Sequence, residues 1–248
     1  MRRVWLFAVL ACALLLSACA NKPSQPTQNE SPALLNAQLG LNYMRQGNYD
    51  VAMEKLKRAL EQDPNLPEAH HYIAELYKTL RNNDLAEQHY RRALKLSPND
   101  GALQNNYAVF LCDVGRYAEA DERFVKAART SDYQRPEEAY QNAATCALRI
   151  PDRKRAMAYL RSALDINPLL PGALYQMTQL SVDNGDYLQA RAFLQRFEAI
   201  ARHTSLSLWW GVAIERELGN PDAAADYARQ LRQEFPRSEE AAKLRELK

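Results

Sequence analysis

The feature that most constrains the fold is a set of residues that recurs at an interval of 34. In a frame that starts at Ala33, large apolar residues stand at positions 7, 11 and 24, small residues at 8, 20 and 27, and proline at 32; they are Leu39, Tyr43, Leu56, Gly40, Ala52, Ala59 and Pro64. Small residues let two helices approach closely, while large apolar residues fill the space between them. Proline cannot continue a helix. The frame therefore predicts a helical hairpin that ends at Pro64.

The frame returns through the rest of the chain, with two extra residues after the third repeat. The repeats cover residues 33–66, 67–100, 101–134, 137–170, 171–204 and 205–238. A helix–turn–helix frame of 34 residues is the tetratricopeptide repeat (TPR) pattern. One hairpin leaves an apolar flank uncovered, so hairpins stack until a cap covers the last one. We predict an all-α fold, a right-handed TPR superhelix (α-α solenoid) of six repeats, with residues 239–248 as a C-terminal capping helix.

Composition agrees with a helical fold and gives no sign of a nucleic-acid partner. The 248 residues include only 8 Gly, and we find no convincing alternating pattern that would predict strands. The chain carries 32 Lys and Arg against 30 Asp and Glu. Loss of Arg2 and Arg3 with an N-terminal leader would balance the two signs. A balanced charge does not favour binding to nucleic acid.

The first residues are typical of a bacterial lipoprotein leader. A basic start with Arg2 and Arg3 precedes an apolar run over residues 4–16, which is too short to span a bilayer comfortably. We predict a signal peptide over residues 1–18. Its end, LSAC, resembles the lipobox of bacterial lipoproteins, and the resemblance implies cleavage before Cys19 and lipidation of Cys19. A plain signal peptide with an incidental cysteine is the alternative.

The segment that follows the cysteine bears on location. By the same resemblance, Ala20 is not the Asp that is associated with inner-membrane retention. We therefore expect a lipid anchor in the outer membrane, on its periplasmic face. Residues 19–32 are polar and contain proline, without apolar periodicity, and this composition predicts a flexible tether. A dozen extended residues reach about 40 Å.

Positions 2, 5, 9 and 12 of each first helix line the concave face of a TPR superhelix. In repeat one these positions form an apolar stripe of Leu34, Ala37, Leu41 and Met44. In repeat two they are the polar residues Glu68, His71, Glu75 and Lys78. An apolar concave stripe predicts a groove for a helix or strand of a partner protein. Two other interpretations stay open: the tether folds back over the stripe, or the stripe packs inside the first superhelical turn.

Two cysteines remain once the leader and the lipidation site are set aside. Cys112 and Cys146 occupy positions 12 and 10 of consecutive first helices, which lie side by side in this architecture. In an oxidising periplasm we predict a disulfide between them, which stabilises the fold by about 3–4 kcal/mol in the chain-entropy model. Two buried thiols are the alternative, because a disulfide requires a Cα separation of about 4.4–6.8 Å.

The sequence offers no set of residues for catalysis or metal binding. His70 and His71 are adjacent and point apart on a helix, while His89 and His203 have no partner at ligand spacing. The chain has no CxxC pair, no Walker-type glycine loop and no Gly-x-Ser-x-Gly motif. We therefore predict a protein-binding scaffold that is not an enzyme and takes no metal, cofactor or small-molecule substrate.

Several segments resemble one particular TPR family. In repeats three and four they are LQNNYAVFLC at residues 103–112, GRY at 115–117, and YQNA at 140–143 after the offset loop. In repeat one they are LGLNY at 39–43 and GNY at 47–49. Together with the lipobox and the six repeats, these segments resemble the PilF/PilW family of type IV pilus biogenesis lipoproteins. The resemblance covers the whole chain after the leader.

The resemblance implies a pilotin-like role. Such a protein is an outer-membrane lipoprotein that binds the type IV pilus secretin and promotes its outer-membrane localisation or its assembly into multimers. The expected partners are thus the secretin and, through the lipid anchor, the membrane. Two other roles stay open: a TPR subunit of another outer-membrane assembly complex, and a regulator of cell-wall hydrolases.

Overall fold

The computed structural model describes residues 31–246, and within this range it contains 13 α-helices and no β-strand. The predicted signal peptide, Cys19 and the tether up to residue 30 lie outside the described residues. Contacts between Cα atoms divide the chain into two compact units, with the boundary between Ala69 and His70. We call the described residues up to Ala69 the N-terminal unit and those from His70 the C-terminal unit.

The N-terminal unit is a helical hairpin. Its two helices are α1 (Pro32–Arg45) and α2 (Tyr49–Gln62), which pack against each other. The hydroxyl of Ser31 caps α1 by accepting a hydrogen bond from the backbone N–H of Leu34 at 3.1 Å. Pro32 occupies the first turn, where its missing N–H costs nothing. The last two residues that the sequence analysis assigned to the tether therefore begin α1.

Gly40 allows the close approach of α1 to α2. A Cβ atom at this position would lie 2.5 Å from Cγ of Leu56, well inside van der Waals contact. Leu56 is itself fully buried, as are Ala52 and Ala59 on the same side of α2. The small residue at position 8 thus has the packing role that the repeat pattern assigns to it.

The C-terminal unit continues the alternation of first and second helices. A boundary helix, α3 (Pro67–Thr79), precedes the others. They are α4 (Asn83–Leu96), α5 (Gly101–Asp113), α6 (Tyr117–Ala128), α7 (Pro136–Ala147), α8 (Arg153–Ile166), α9 (Pro171–Asp183), α10 (Tyr187–Glu198), α11 (Ser205–Glu217), α12 (Pro221–Glu234) and α13 (Glu239–Glu246). From α5 onward, each first helix packs against its own second helix and against the second helix of the preceding repeat. This stacking is what the repeat frame predicts.

In five of the six repeats, the turn between the two helices contains one residue in the left-handed conformation. In four of these turns the residue is glycine with φ between +74° and +81°: Gly47, Gly115, Gly185 and Gly219. The second repeat has Arg81 there with φ of +61°, although a side chain in this region costs about 1–2 kcal/mol. The turn satisfies carbonyl groups at the end of the first helix, as when the N–H of Arg116 donates to the carbonyl of Leu111 at 2.8 Å.

Two apolar clusters form the core of the C-terminal unit, and a third closes its end. Aromatic rings dominate the first cluster: Tyr90, Tyr107, Phe110 and Phe124. Aliphatic side chains and one indole dominate the second: Leu160, Leu174, Met177, Leu194 and Trp210. In the third cluster, Ala241 and Leu244 of α13 pack on α11 and α12. The final helix therefore covers the last repeat, as a capping helix does.

Candidate partner-binding surface

The first helix carries the apolar stripe that the sequence analysis proposes for partner binding. Leu34, Leu41 and Met44 are half-buried, so each side chain presents part of its surface to solvent. Their spacing of seven and three residues places them on one side of α1. A partner can therefore contact all three at once.

Ala37 does not share this exposure. It is fully buried, although the sequence analysis placed it on the same stripe. On α1 it lies between Met44 and Leu41, close to the buried face that carries Ala33 and Gly40. Because its methyl group is short, the surrounding side chains cover it completely. The accessible stripe therefore consists of Leu34, Leu41 and Met44, with Ala37 beneath them.

A second apolar surface on α1 was not anticipated from the sequence. Leu35 is 46% exposed and Leu39 is 37% exposed, on a different side of the helix. Residues at the same repeat positions in α5, Leu103 and Tyr107, are 1% and 3% exposed because they pack in a core cluster with residues of α4. Among the described residues no helix precedes α1, and none covers Leu35 and Leu39 in this way. The expectation that Leu39 fills space inside the hairpin is corrected on this point.

A disulfide joins α5 to α7 in the structure. The Cα atoms of Cys112 and Cys146 are 5.9 Å apart, within the range that a disulfide requires. Both residues are buried, and their sequence separation of 34 equals one repeat. Beside them, Arg149 pairs with the carboxylate of Asp113 at 2.8 Å and ties the same two repeats together. The bond thus links the first helices of repeats three and four.

Two histidines that the sequence analysis treated as isolated lie together. The Nδ1 atoms of His70 and His89, from α3 and α4, are 3.0 Å apart. Burial lowers the pKa of His89 to about 4, and the charge of a protonated His70 acts in the same direction. Among the described residues no group of three or more His, Cys, Asp or Glu side chains could hold a metal ion. The pair lies where α3 and α4 meet, and the two imidazole rings are 5.1 Å apart between their centroids.

This pair predicts a loss of stability in acid. Unfolded His89 takes up a proton near pH 6.5, whereas folded His89 does so only near pH 4. The unfolded state therefore binds more protons between these values, and stability falls as the pH falls through this window. We expect the free energy of unfolding to fall by about 1–2 kcal/mol. This is less than the full pKa shift of His89 implies, because its side chain is partly exposed to solvent. Thermal unfolding between pH 7 and pH 4 measures this loss of stability. If the stability of His89→Gln falls as steeply with pH as that of the unmodified chain, the loss does not come from His89.

Comparison with known proteins identifies the family of this chain. Tetratricopeptide repeat families match residues 40–80, 68–171 and 206–238. The type IV pilus assembly protein PilF of Pseudomonas aeruginosa is 30% identical over 201 residues, which cover 81% of this chain and 80% of that protein. The chain belongs to the PilF/PilW family. An uncharacterised Haemophilus influenzae protein is also similar, at 26% identity over 54% of this chain and 74% of its own length.

Solved structures of the PilF/PilW family have the same fold. The structure of Pseudomonas aeruginosa PilF matches with a TM-score of 0.77 and 28% identity, covering 88% of this chain and 98% of that one. The structure of PilW, a type IV pilus biogenesis factor, matches with a TM-score of 0.73 and 30% identity, covering 87% and 99%. The prediction of an all-α TPR fold and the recognition of the family are thereby confirmed.

Within this PilF/PilW-family chain, two tyrosines with raised pKa values connect neighbouring helices. The hydroxyl of Tyr159 on α8 donates to Asp121 on α6 at 2.7 Å, and burial raises its pKa above the usual value. Tyr227 on α12 donates in the same way to Glu198 on α10, and burial raises its pKa too. Both phenols stay protonated and act as hydrogen-bond donors.

No helix in the described part of the chain is long and apolar enough to cross a membrane.

Proposed function

We propose that this chain is a lipid-anchored adaptor of type IV pilus biogenesis, which binds the pilus secretin at the outer membrane and promotes its localisation or its assembly into multimers. The observation that carries the proposal is the match to PilF, since it extends over about four fifths of both chains. A shared repeat pattern alone would support only the fold.

The stripe on α1 is the surface we assign to the secretin. Leu34, Leu41 and Met44 offer apolar area at the first repeat, in the helix that directly follows the predicted tether. A helix or strand that buries these side chains gains free energy by removing them from water. We assign Ala37 to the support of this surface, because it is buried beneath it.

The adaptor acts by binding and not by catalysis. Perturbed titratable groups often mark active sites, but those named above are used between helices. The same holds for Glu215 on α11, whose carboxylate accepts hydrogen bonds from Arg191 of α10 and from Asn220. The hydrogen bond to Arg191 lowers the pKa of Glu215, so the ion pair persists at neutral pH. These groups stabilise the stacking of repeats.

Tethering supplies the mechanism. Lipid at Cys19 would confine the TPR domain to the outer membrane, and residues 19–30 would set its reach. Confinement raises the effective concentration of the adaptor at the place where the secretin must assemble. Several acyl chains on one lipoprotein hold it stably, whereas a single chain anchors weakly.

The test compares the secretin in outer-membrane fractions from cells with and without this chain. We expect secretin multimers to disappear, or to move to the inner membrane, in cells that lack it, while porin levels stay unchanged. A general loss of porins would instead favour a subunit of another outer-membrane assembly complex. Unchanged secretin would refute the proposed function and leave the TPR scaffold.

A further inference from the structure

A cavity lies between α6, α7 and α8 in the C-terminal unit, apart from the surface discussed so far. Its volume is about 120 Å³. Most of its wall is apolar and includes one cysteine of the disulfide; the lining comprises Phe124, Tyr117, Ala143, Ala147, Cys146 and Ile150. Two charged residues, Asp121 and Arg155, complete the lining. Ala118, an exposed residue of α6, also contributes to it.

A short side chain at one repeat position contributes to the cavity. At the junction of repeats five and six, position 21 of one repeat lies near position 11 of the next, where Arg191 and Glu215 form an ion pair. At the junction of repeats three and four, the residues at these two positions are Asp121 and Ala147. The methyl group of Ala147, which lines the cavity, fills less space than the side chain of Glu215 does at the junction of repeats five and six.

The dimensions of the cavity restrict what can occupy it. Sites for whole small molecules usually measure about 300–1,000 Å³, so this cavity is too small for most of them. An apolar cavity of about 150 Å³ in another protein holds one benzene molecule. A volume of about 120 Å³ therefore suits one side chain of the size of leucine or phenylalanine.

The charges at the cavity favour a cation beside the apolar group. Arg155 is shared between two carboxylates, with Asp152 at 3.3 Å and Asp121 at 3.7 Å. Asp121 also accepts a hydrogen bond from Tyr159, which carries no charge. Two carboxylates thus face one guanidinium group, and a positively charged neighbour of the bound side chain would complete the balance.

We propose that this cavity binds one apolar side chain of a protein partner, of leucine or phenylalanine size, next to a basic residue of the same partner. Because the cavity is formed wholly by residues of the C-terminal unit, the proposal does not require the α1 stripe. It adds an anchor point to the scaffold and specifies the chemistry of the segment that is bound there.

The experiment titrates three short peptides into the full chain, purified in detergent and labelled with ¹³C at alanine methyl groups. The peptides are acetyl-Lys-Phe-Lys-amide, acetyl-Lys-Ala-Lys-amide and acetyl-Glu-Phe-Glu-amide. We expect the first to shift the methyl signals of Ala143 and Ala147 while the signal of buried Ala52 stays unchanged. The alanine peptide should cause no shift, and the glutamate peptide should bind about tenfold more weakly.

Two variants identify the site. Ala147→Leu fills the cavity from within, and Ala118→Leu obstructs it from the exposed side of α6. If one variant fails to fold, the other still tests whether the peptide binds in the cavity. Both should abolish the peptide shifts, whereas Ala158→Leu, at an exposed position of α8 outside the lining, should preserve them. The proposal is overturned if the alanine peptide binds equally well, or if Ala147→Leu changes the oligomeric mass, which would identify a second copy of the chain as the occupant.

Discussion

Glutamate in place of Leu41 is expected to remove the secretin multimers from the outer membrane while the helix content of the chain stays unchanged. Leu41 is half-buried on α1, in the middle of the accessible stripe. A carboxylate there would have to lose its water when the partner binds, and it would leave the partner's apolar surface without a contact. We expect affinity for the secretin to fall at least about 30-fold, as at a binding hot spot.

The fold should tolerate this change, because a substitution at a partly exposed helix position usually costs less than about 1 kcal/mol. Leu188→Glu is the matched control: the same chemical change on α10, at a side chain that is 72% exposed. Circular dichroism checks the helix content of both variants, and fractionated membranes show the secretin. Normal multimers in cells that carry Leu41→Glu would remove the stripe from the interface. A parallel Leu39→Glu variant tells whether the second apolar surface of α1 takes part.

The fold could be predicted because its determinants are local and periodic. The spacing of Gly40, Ala52 and Leu56 specifies how two helices meet, and that information lies within one repeat. Repetition then places each hairpin on the one before it. The same frame identified which residues of α1 share a side, so three of the four predicted stripe residues, Leu34, Leu41 and Met44, are accessible together in the structure.

Exposure could not be predicted in the same way. The frame assigns Leu39 and Tyr107 to the same position, yet one is 37% exposed and the other 3%. The difference arises because a described repeat precedes α5, whereas no described helix precedes α1. Likewise, the repeat frame does not predict that Ala37 is buried, although its side chain is too short to reach the surface beside Leu34 and Leu41. Burial depends on neighbours, and a repeat at the end of an array has different neighbours.

The features that the sequence analysis missed depend on pairs of residues from different helices. His70 and His89 come together only when α3 packs against α4. The cavity is lined by residues of α6, α7 and α8, among them Asp121 and Ala147, which are separated along the chain and meet only in the folded repeats. A search for ligand spacing along the chain detects neither arrangement.

Removal of the disulfide is expected to have the largest effect on stability. Cys112 and Cys146 close a loop of one repeat length, and the chain-entropy model gives about 4 kcal/mol for a loop of this size. For a domain of about 200 residues, each kcal/mol lowers the thermal midpoint by about 2–4 °C. We therefore expect the double variant Cys112→Ala and Cys146→Ala to unfold about 8–15 °C below the unmodified chain. Repeats three and four should separate first, because the bond joins their first helices.

Reduction supplies an independent measurement of the same bond. The unmodified chain with excess dithiothreitol should unfold near the midpoint of the double variant, whereas dithiothreitol should leave the double variant unchanged. If instead the loss came from two missing sulfur atoms in a close-packed interior, the reduced chain would remain almost as stable as the oxidised one, because reduction keeps both atoms in place. Mass spectrometry of the denatured, non-reduced chain completes the argument: Cys112 and Cys146 should resist alkylation, and two alkylated thiols would show that the bond is absent from the isolated protein.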